Sequence, residues 1–277
     1  MNFEEFQKKR VEMVEWMTVN GFNEGDCEKN GEYKVIELLV NHYDLFIDVG
    51  ANNGIFIDRI NGIYKKSLTG KSSPYILAFE PNPELKNAIE NKIENGELVD
   101  CALSNQKGKA IFNIYPTDNT TSSLFSRSDM MPHFTTNVVK INVNLDTLDS
   151  FLPLIIRESS KGTFIKIDAE GVELLVIEGA QEVLKSMPVV FVMFEYSKAW
   201  KNGNLQLKDA FHLLDNSGYQ FYRVTPLGLE HLRFYSPEME GSEYCNYLAV
   251  KGLNLGDIFT AKLVGSPTHR VNNFFVF

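Results

Sequence analysis

The sequence predicts an α/β fold in which buried parallel strands alternate with helices. Three apolar runs, which begin at Leu45, Tyr75 and Val189, each reach an acidic residue near their end. Such continuous apolar runs are typical of parallel strands that are covered on both faces. Apolar residues then follow the first run at helical spacing, at positions 56, 60, 63, 64 and 68. Alternation of the two patterns along the chain indicates a single α/β domain.

The remaining elements continue this alternation. Helices are predicted at residues 32–42, 83–93, 172–185 and 205–216, and strands at residues 97–103, 109–115, 138–143, 163–167, 219–224 and 244–250. Pro83 suits the first turn of its helix, and Gly218 follows the end of another helix. The last two strands are expected to pair antiparallel at one edge of the sheet.

Length and composition limit the organisation of the chain. Its 277 residues, 44% of them hydrophobic, can fill a sizeable core. We divide the chain into an N-terminal helical extension (1–30), a main domain (31–251) and a C-terminal tail (252–277). The net charge of −9 argues against nucleic acid as the main partner, because phosphate binding requires a basic face. The expected partner is therefore a small molecule.

The start of the chain and its cysteines bear on its location. Residues 1–17 mix acidic and basic side chains and contain no apolar core, so we expect neither a signal peptide nor a membrane span there. Their apolar residues recur at helical spacing and indicate an amphipathic helix. Cys27, Cys101 and Cys245 are odd in number and lack the spacing of metal ligands, which indicates reduced thiols. A cytoplasmic location is expected from these features.

The turn after the first strand is the clearest candidate for a cofactor site. It has the form Asp48-x-Gly50-x-x-x-Gly54, with Asn52 between the glycines, and such glycines let a ligand approach the backbone. A carboxylate two residues before the first glycine repels a pyrophosphate but suits the ammonium group of a cofactor such as S-adenosylmethionine. The pattern favours a methyl donor over a dinucleotide, with an ordinary strand-to-helix turn as the alternative.

The end of the second strand adds another acid to the same edge of the sheet. Glu80 can accept hydrogen bonds from the two ribose hydroxyls of a ligand that lies over Gly50, because consecutive parallel strands end side by side. Asn82 is expected to contact the adenine, and a plain turn residue before Pro83 is the alternative.

Three short motifs and one strand lie in the same part of the chain. The motifs are DVGANNG at residues 48–54, FEPNP at residues 79–83 and KIDAEGVELLVIEGA at residues 166–180, and the strand covers residues 99–104. Together they resemble the FkbM family of S-adenosylmethionine-dependent methyltransferases over residues 44–200. The third motif is the most specific, although Ala169 stands where valine is more often expected.

This resemblance implies a class I methyltransferase fold, a Rossmann-like three-layer sandwich with a seven-stranded, mostly parallel sheet and helices on both faces. It implies S-adenosylmethionine as the cofactor, with Asp100 and Ala102 as further contacts. It also implies O-methylation of a hydroxyl on a sugar, glycan or secondary metabolite. N-methylation of a small amine is the main alternative, because acids at the strand ends can equally hold an ammonium group.

Acidic residues that follow the later strands are candidates for catalysis. Asp168 and Glu170 follow the fourth strand and Glu195 follows the fifth, so all three are expected above one crevice. Methyl transfer to a hydroxyl needs a base that removes its proton. Asp168 is the first choice, while Glu170 is expected to orient it, contact the substrate or cap the following helix. Lys166 is expected to pair with one of these acids.

Two further alternatives remain open at this point. Asp168, Glu170 and Glu195 have the oxygen ligands to hold Mg²⁺, which would acidify a bound hydroxyl. A dinucleotide-dependent oxidoreductase or a non-catalytic cofactor-binding protein would share the fold. The absence of G-x-G-x-x-G argues against the first of these classes, and the strand-end acids argue against the second.

The segment of residues 105–160 is longer than a simple crossover requires, and it contains a polar loop. Long loops in compact domains are often functional. Thr121, Ser122, Ser123 and Arg127 are predicted to line the substrate pocket, with a solvated loop tip as the alternative. His133 is a further candidate base, although a loop histidine is more often simply solvated.

The end of the chain, residues 271–277, is too apolar to be expected in free solution and too short to span a membrane. Packing against the parent domain is the first interpretation. A contact in a homo-oligomer is the second.

Overall fold

The computed structural model describes residues 4–5, 8–9, 11–13, 26–67, 73–116, 122–126, 137–242, 244–261, 270–271 and 274–277. The strands are β1 (Leu45–Val49), β2 (Tyr75–Phe79), β3 (Gly96–Val99), β4 (Ala102–Leu103), β5 (Gly108–Ile114), β6 (Val139–Asp146), β7 (Thr163–Ile167), β8 (Val190–Ser197), β9 (Gln220–Thr225), β10 (Gly228–Leu232), β11 (Tyr244–Lys251), β12 (Arg270–Val271) and β13 (Phe274–Val276). The helices are α1 (Glu32–Leu39), α2 (Ile55–Ser67), α3 (Lys86–Glu90), α4 (Leu152–Glu158), α5 (Glu173–Glu178), α6 (Gln181–Ser186), α7 (Leu207–Asp215) and α8 (Leu255–Ala261). Short 3-10 helices cover Leu148–Phe151, Lys198–Gly203 and Pro237–Gly241.

The main sheet has the strand order β12-β13-β10-β9-β11-β8-β7-β1-β2-β3. Strands β3, β2, β1, β7 and β8 are parallel, and β11 pairs antiparallel with both β8 and β9. The predicted α/β class and the antiparallel pairing of the strands at 219–224 and 244–250 are thus confirmed, but their predicted place at the sheet edge is wrong, because β10, β13 and β12 lie beyond β9. Consecutive parallel strands end side by side, and this places their carboxyl ends along one edge.

The sheet contains ten strands, so the expected number of seven is wrong. After β9 the chain reverses in a turn where Thr225 Oγ1 donates a hydrogen bond to the Gly228 carbonyl oxygen at 2.8 Å. This turn lets β10 pair antiparallel with β9, and the C-terminal strand β13 then pairs with β10. Strand β10 was missed because its sequence, GLEHL, lacks a clear apolar run.

The helices cover both faces of the sheet. Leu45, Ile47 and Val49 of β1 lie in a core that includes residues of α5, α6 and α7. Phe46 lies in a second core with residues of α1, α2 and α8. Because successive side chains of a strand point to opposite faces, β1 must be apolar on both sides, which explains its continuous apolar run.

Several predicted boundaries differ from the structure. The predicted strand at residues 97–103 is divided into β3 and β4, and β4 belongs to a separate three-stranded sheet with the order β4-β6-β5. The predicted helix at residues 172–185 is two helices, α5 and α6, separated at Gly179. A side chain at Gly179 would collide with the carbonyl oxygen of Ser104, so the backbone approaches closely there.

The described end of the chain packs on the sheet. Phe275 of β13 is buried, and its ring lies 5.7 Å from that of Tyr222. The backbone N–H of Phe277 donates a hydrogen bond to the carbonyl oxygen of Leu227 at 3.1 Å. Among the helices of the described residues, none has the length and apolar character needed to cross a membrane.

Candidate functional site

A cleft of about 390 Å³ lies at the carboxyl ends of β1, β2, β7 and β8. Cavities of a few hundred Å³ are typical of sites for small ligands and cofactors. Phe112, Ser122 and Leu124, from the segment that carries the second sheet, also line it. The cleft therefore joins the strand ends to the long segment between β4 and β7.

The glycine turn forms the part of the cleft that follows β1. Gly50 and Asn52 line it, whereas Gly54 does not and instead donates its N–H to the Ala51 carbonyl oxygen at 2.8 Å. Gly50 has φ +80°, and a side chain there would collide with the carbonyl oxygen of Asp168. The turn thus lies directly beside the end of β7, and glycine is the residue type that permits this approach.

Glu80 is held in place by backbone N–H groups of the segments that follow β1 and β2. Its Oε2 accepts a hydrogen bond from the Asn52 N–H, and its Oε1 accepts one from the Asn82 N–H, each at 2.9 Å. Burial raises the pKa of Glu80 to about 7, and the two N–H donors oppose this shift. Each carboxylate oxygen retains a lone pair that can accept a further hydrogen bond from a ligand.

The other predicted cofactor residues are placed differently. Asn82 and Ala102 line the cleft, while Asp100 is exposed and lies outside its lining. The Asn82 Oδ1 accepts a hydrogen bond from the Glu84 N–H at 3.1 Å. Asn82 therefore also has the turn-forming role that was its alternative interpretation.

Asp48 lies outside the lining of the cleft and is almost completely buried. Neither of its carboxylate oxygens has a hydrogen-bond partner among the described residues. Burial raises its pKa to about 6, opposed by Lys166, which is its register partner in β7. Attraction to the Lys166 ammonium group thus partly offsets the free-energy cost of burying the Asp48 carboxylate.

Lys166 is the centre of the charged part of the cleft. Its Nζ donates a hydrogen bond to Asp168 Oδ2 at 2.9 Å and lies 4.0 Å from the centre of the Phe56 ring. Burial alone would lower the pKa of Lys166, but the carboxylates of Asp168, Asp48 and Glu32 raise it above its usual value. The predicted pairing of Lys166 with an acid is confirmed.

The three candidate catalytic acids, Asp168, Glu170 and Glu195, all line the cleft. Glu195 lies within β8 and not after it, opposite Asn246 of β11. Burial raises the pKa of Glu195 well above its usual value, and the nearby Glu170 and Asp168 carboxylates raise it further. Repulsion between these neighbouring carboxylates is thus the second cause of the shift, after burial.

Glu173 ties the turn after β7 to α5. Its carboxylate accepts hydrogen bonds from the Ala169 N–H at 2.9 Å and the Gly171 N–H at 3.0 Å. The capping role considered for Glu170 stays a prediction. Glu170 has φ +60°, a left-handed conformation that is uncommon outside glycine and is found at turns and functional sites.

The structure gives no support to the Mg²⁺ alternative. Within the described ranges, no group of three or more His, Cys, Asp or Glu residues is arranged to hold a metal ion. Asp168, Glu170 and Glu195 share the cleft without forming such a group, and Lys166 already occupies one oxygen of Asp168.

Two of the predicted acceptor residues lie in the described part of the loop. Ser122 lines the cleft, whereas Ser123 is fully buried and its Oγ donates a hydrogen bond to the Glu170 carbonyl oxygen at 2.7 Å. Ser123 thus fastens the loop to the turn after β7. Thr121, Arg127 and the candidate base His133 lie outside the described residues.

Three cleft residues lie far from the recognisable motifs and were missed. Cys27, Glu32 and Tyr244 line the cleft from the two ends of the domain. Glu32 is 4% exposed, and its Oε2 accepts a hydrogen bond from Asn30 Nδ2 at 2.7 Å. An acid in the first turn of a helix is common because it complements the helix dipole, so the sequence gives no sign that Glu32 also lines a cleft.

Comparisons with known proteins bear on this site. The family model described as the methyltransferase FkbM domain matches residues 48–221. A comparison with curated protein sequences finds no match.

Solved structures, among them the following two, are similar to this chain at low identity. The ribosomal protein L11 methylase of Lactobacillus delbrueckii subsp. bulgaricus is 13% identical, with a TM-score of 0.37 and coverage of 82% of this chain and 80% of that one. The TehB-like S-adenosylmethionine-dependent methyltransferase of Corynebacterium glutamicum is 10% identical, with a TM-score of 0.36 and coverage of 90% and 99%. No functional assignment rests on these two similarities.

Proposed function

This chain belongs to the FkbM methyltransferase family, and on that basis we propose that it transfers a methyl group from S-adenosylmethionine to a hydroxyl of a small molecule or glycan. The observation that carries the proposal is the arrangement of the Gly50 turn and the Glu80 carboxylate on adjacent strands, facing one cleft. A nucleoside over this turn can donate its ribose hydroxyls to Glu80 while its remaining part extends toward β7.

The charge of the cleft favours this cofactor over a dinucleotide. Its described lining contains five acidic residues and a single Lys or Arg residue, Lys166. A pyrophosphate would be repelled by such a surface, whereas the sulfonium and ammonium groups of S-adenosylmethionine are attracted to it.

The proposed reaction moves a methyl group from the sulfonium sulfur to an acceptor oxygen by in-line displacement. The C–S bond breaks as the C–O bond forms, and S-adenosylhomocysteine leaves as a neutral thioether. The protein holds the two reactants in line and removes the hydroxyl proton. Asp168 is the proposed base, and Lys166 orients its carboxylate through the hydrogen bond to Oδ2.

The first test is a calorimetric titration of the cofactor-free protein with S-adenosylhomocysteine, with NADH in parallel. We expect binding of S-adenosylhomocysteine with a Kd on the order of micromolar and no binding of NADH. Binding of NADH alone, or of neither compound, would overturn the proposal.

Binding of S-adenosylhomocysteine is expected to weaken as the pH falls below 7. The pKa of Glu80 is raised to about 7, and ribose hydroxyls donate to its ionised form. Binding therefore favours deprotonation, and each pH unit below 7 lowers the affinity by up to about tenfold. Calorimetric titrations between about pH 8 and pH 5 measure this slope.

The Glu80→Gln variant tests whether ionisation of Glu80 causes this pH dependence. It should bind more weakly at about pH 8 and lose less affinity toward about pH 5, because the amide does not ionise. Glu84→Gln removes an exposed carboxylate nearby and should keep the wild-type slope. Equal slopes for Glu80→Gln and the wild type would exclude Glu80 as the titrating ligand.

A further inference from the structure

The cleft contains more carboxylates than the proposed reaction uses. The acidic residues in its lining are Glu32, Glu80, Asp168, Glu170 and Glu195. Glu80 is assigned to the ribose, and Asp168 is paired with Lys166. Glu32, Glu170 and Glu195 remain without a role in binding or transfer. S-adenosylmethionine adds only a sulfonium and an ammonium group to this site and brings a carboxylate of its own.

Glu195 is the residue among these that points to a ligand. It is 9% exposed, it lines the cleft, and no described residue donates a hydrogen bond or an ion pair to its carboxylate. Buried polar groups are nearly always hydrogen-bonded, and a buried carboxylate without a partner is costly. A donor supplied by a bound ligand would complete this site.

The position of Glu195 places that ligand on the acceptor side of the cleft. Strand order runs β8-β7-β1-β2, so Glu195 in β8 and Glu80 after β2 are separated by three strand spacings, about 14 Å. A cofactor that lies over β1 and β2 leaves the ends of β7 and β8 to the second substrate.

Two residues from outside the matched family region face the same place. Glu32 opens α1, and Tyr244 opens β11, the strand next to β8, while the family match covers residues 48–221. Electrostatic interactions join Glu195 to Glu32 and Tyr244 to both acids. The segment before the family domain thus adds a carboxylate beside Glu195, and the segment after it adds a phenol hydroxyl.

We propose that Glu195, with Glu32 and Tyr244, forms a subsite for a protonated amine of the acceptor, so that the acceptor is a small hydroxyl compound that also carries an ammonium group. This inference rests on the proposed function. An amine that is held protonated between carboxylates has no lone pair with which to attack a sulfonium. The ammonium group therefore anchors the acceptor, and a neighbouring hydroxyl receives the methyl group.

The test uses two sets of compounds in which a protonated amine is replaced by a neutral amide or hydroxyl on the same ring. Protein saturated with S-adenosylhomocysteine is titrated with glucosamine, N-acetylglucosamine and glucose, and with 2-aminocyclohexanol and cyclohexane-1,2-diol, up to about 10 mM. We expect at least one amine to bind about tenfold or more tightly than its neutral counterparts. Equal binding within both sets, or no binding by either amine, would overturn the proposal.

Substitutions of Glu195 test whether this residue causes the preference for amines. The preference is the Kd of the neutral compound divided by the Kd of the amine. Glu195→Gln should lower this ratio about tenfold, whereas Glu195→Asp keeps the charge and should preserve part of the preference. Glu182→Gln removes an exposed carboxylate outside the cleft and should leave the ratio unchanged. Melting curves show that each variant is folded. A preference that persists in Glu195→Gln contradicts the proposal.

The position of the transferred methyl group completes the test. With S-adenosylmethionine as donor, the amine that binds is incubated with the protein and the product is analysed by NMR. Methylation at oxygen supports the subsite, whereas methylation at nitrogen overturns it. The outcomes separate the two levels of inference, because failure to bind S-adenosylhomocysteine refutes the proposed function, while its binding without a preference for amines refutes only the subsite.

Discussion

In the Asp168→Asn variant, turnover per folded molecule is expected to fall by about 10²- to 10⁴-fold, the range that a positioned general base contributes. Asparagine keeps the size of the side chain and an oxygen that can accept the Lys166 hydrogen bond, but it cannot take a proton from the acceptor. Turnover is measured as formation of S-adenosylhomocysteine, with the acceptor identified by the screen above, and is divided by the folded fraction from a melting curve.

The control for this substitution is Asp209→Asn, which makes the same change at an exposed position in the first turn of α7. It should leave turnover unchanged. The alternative is that Asp168 only stabilises the buried Lys166. In that case Asp168→Asn would lower the melting temperature and leave turnover per folded molecule intact, which would exclude Asp168 as the base.

The Gly50→Ala variant is expected to lose both stability and cofactor binding. A methyl group at this position would collide with the carbonyl oxygen of Asp168, and φ +80° is strained for alanine. The backbone of the turn must therefore move away from β7, at a cost of about 2 kcal/mol or more in the free energy of unfolding. Because the same turn lines the cleft, affinity for S-adenosylhomocysteine should fall at least about tenfold.

Gly62→Ala is the matched control for this prediction. Gly62 lies within α2, and a side chain there would meet no heavy atom within 4 Å. Alanine is the better helix former, so the free energy of unfolding should rise by about 0.5–1 kcal/mol. Denaturant unfolding and calorimetry compare the two variants. A Gly50→Ala protein that is as stable as Gly62→Ala would show that the turn tolerates a side chain.

The predicted site residues that line the cleft are mostly those with a local pattern. Gly50, Asn52, Glu80 and Asn82 follow apolar strands directly, and consecutive parallel strands must bring their carboxyl ends together. The pairing of Lys166 with an acid also follows from local reasoning, since a buried lysine near a strand end requires a negative partner.

Other assignments depend on contacts that no local pattern contains. Asp48 fits its motif, yet the structure buries it outside the cleft lining, beside Lys166. Glu170 precedes α5 and Glu173 is its first residue. Only the backbone conformation at residues 169–171 lets the N–H groups of this turn donate hydrogen bonds to the Glu173 carboxylate. Which of two nearby acids faces the cleft is decided by φ and ψ at the turn, and a spacing rule does not contain that information.

The sequence by itself determined the α/β class, the strand-end location of the cleft, the methyltransferase family and most of the residues that line the cleft after β1 and β2. These follow from short runs of residues whose periodicity and glycines dictate a strand, a turn and a helix. Only the tertiary structure decided that β10, β12 and β13 extend the sheet to ten strands, and that Glu32 and Tyr244 join Glu195 in one cleft. The physical reason is that packing brings together segments more than 200 residues apart, and the sequence around one segment does not indicate which distant segment it will contact.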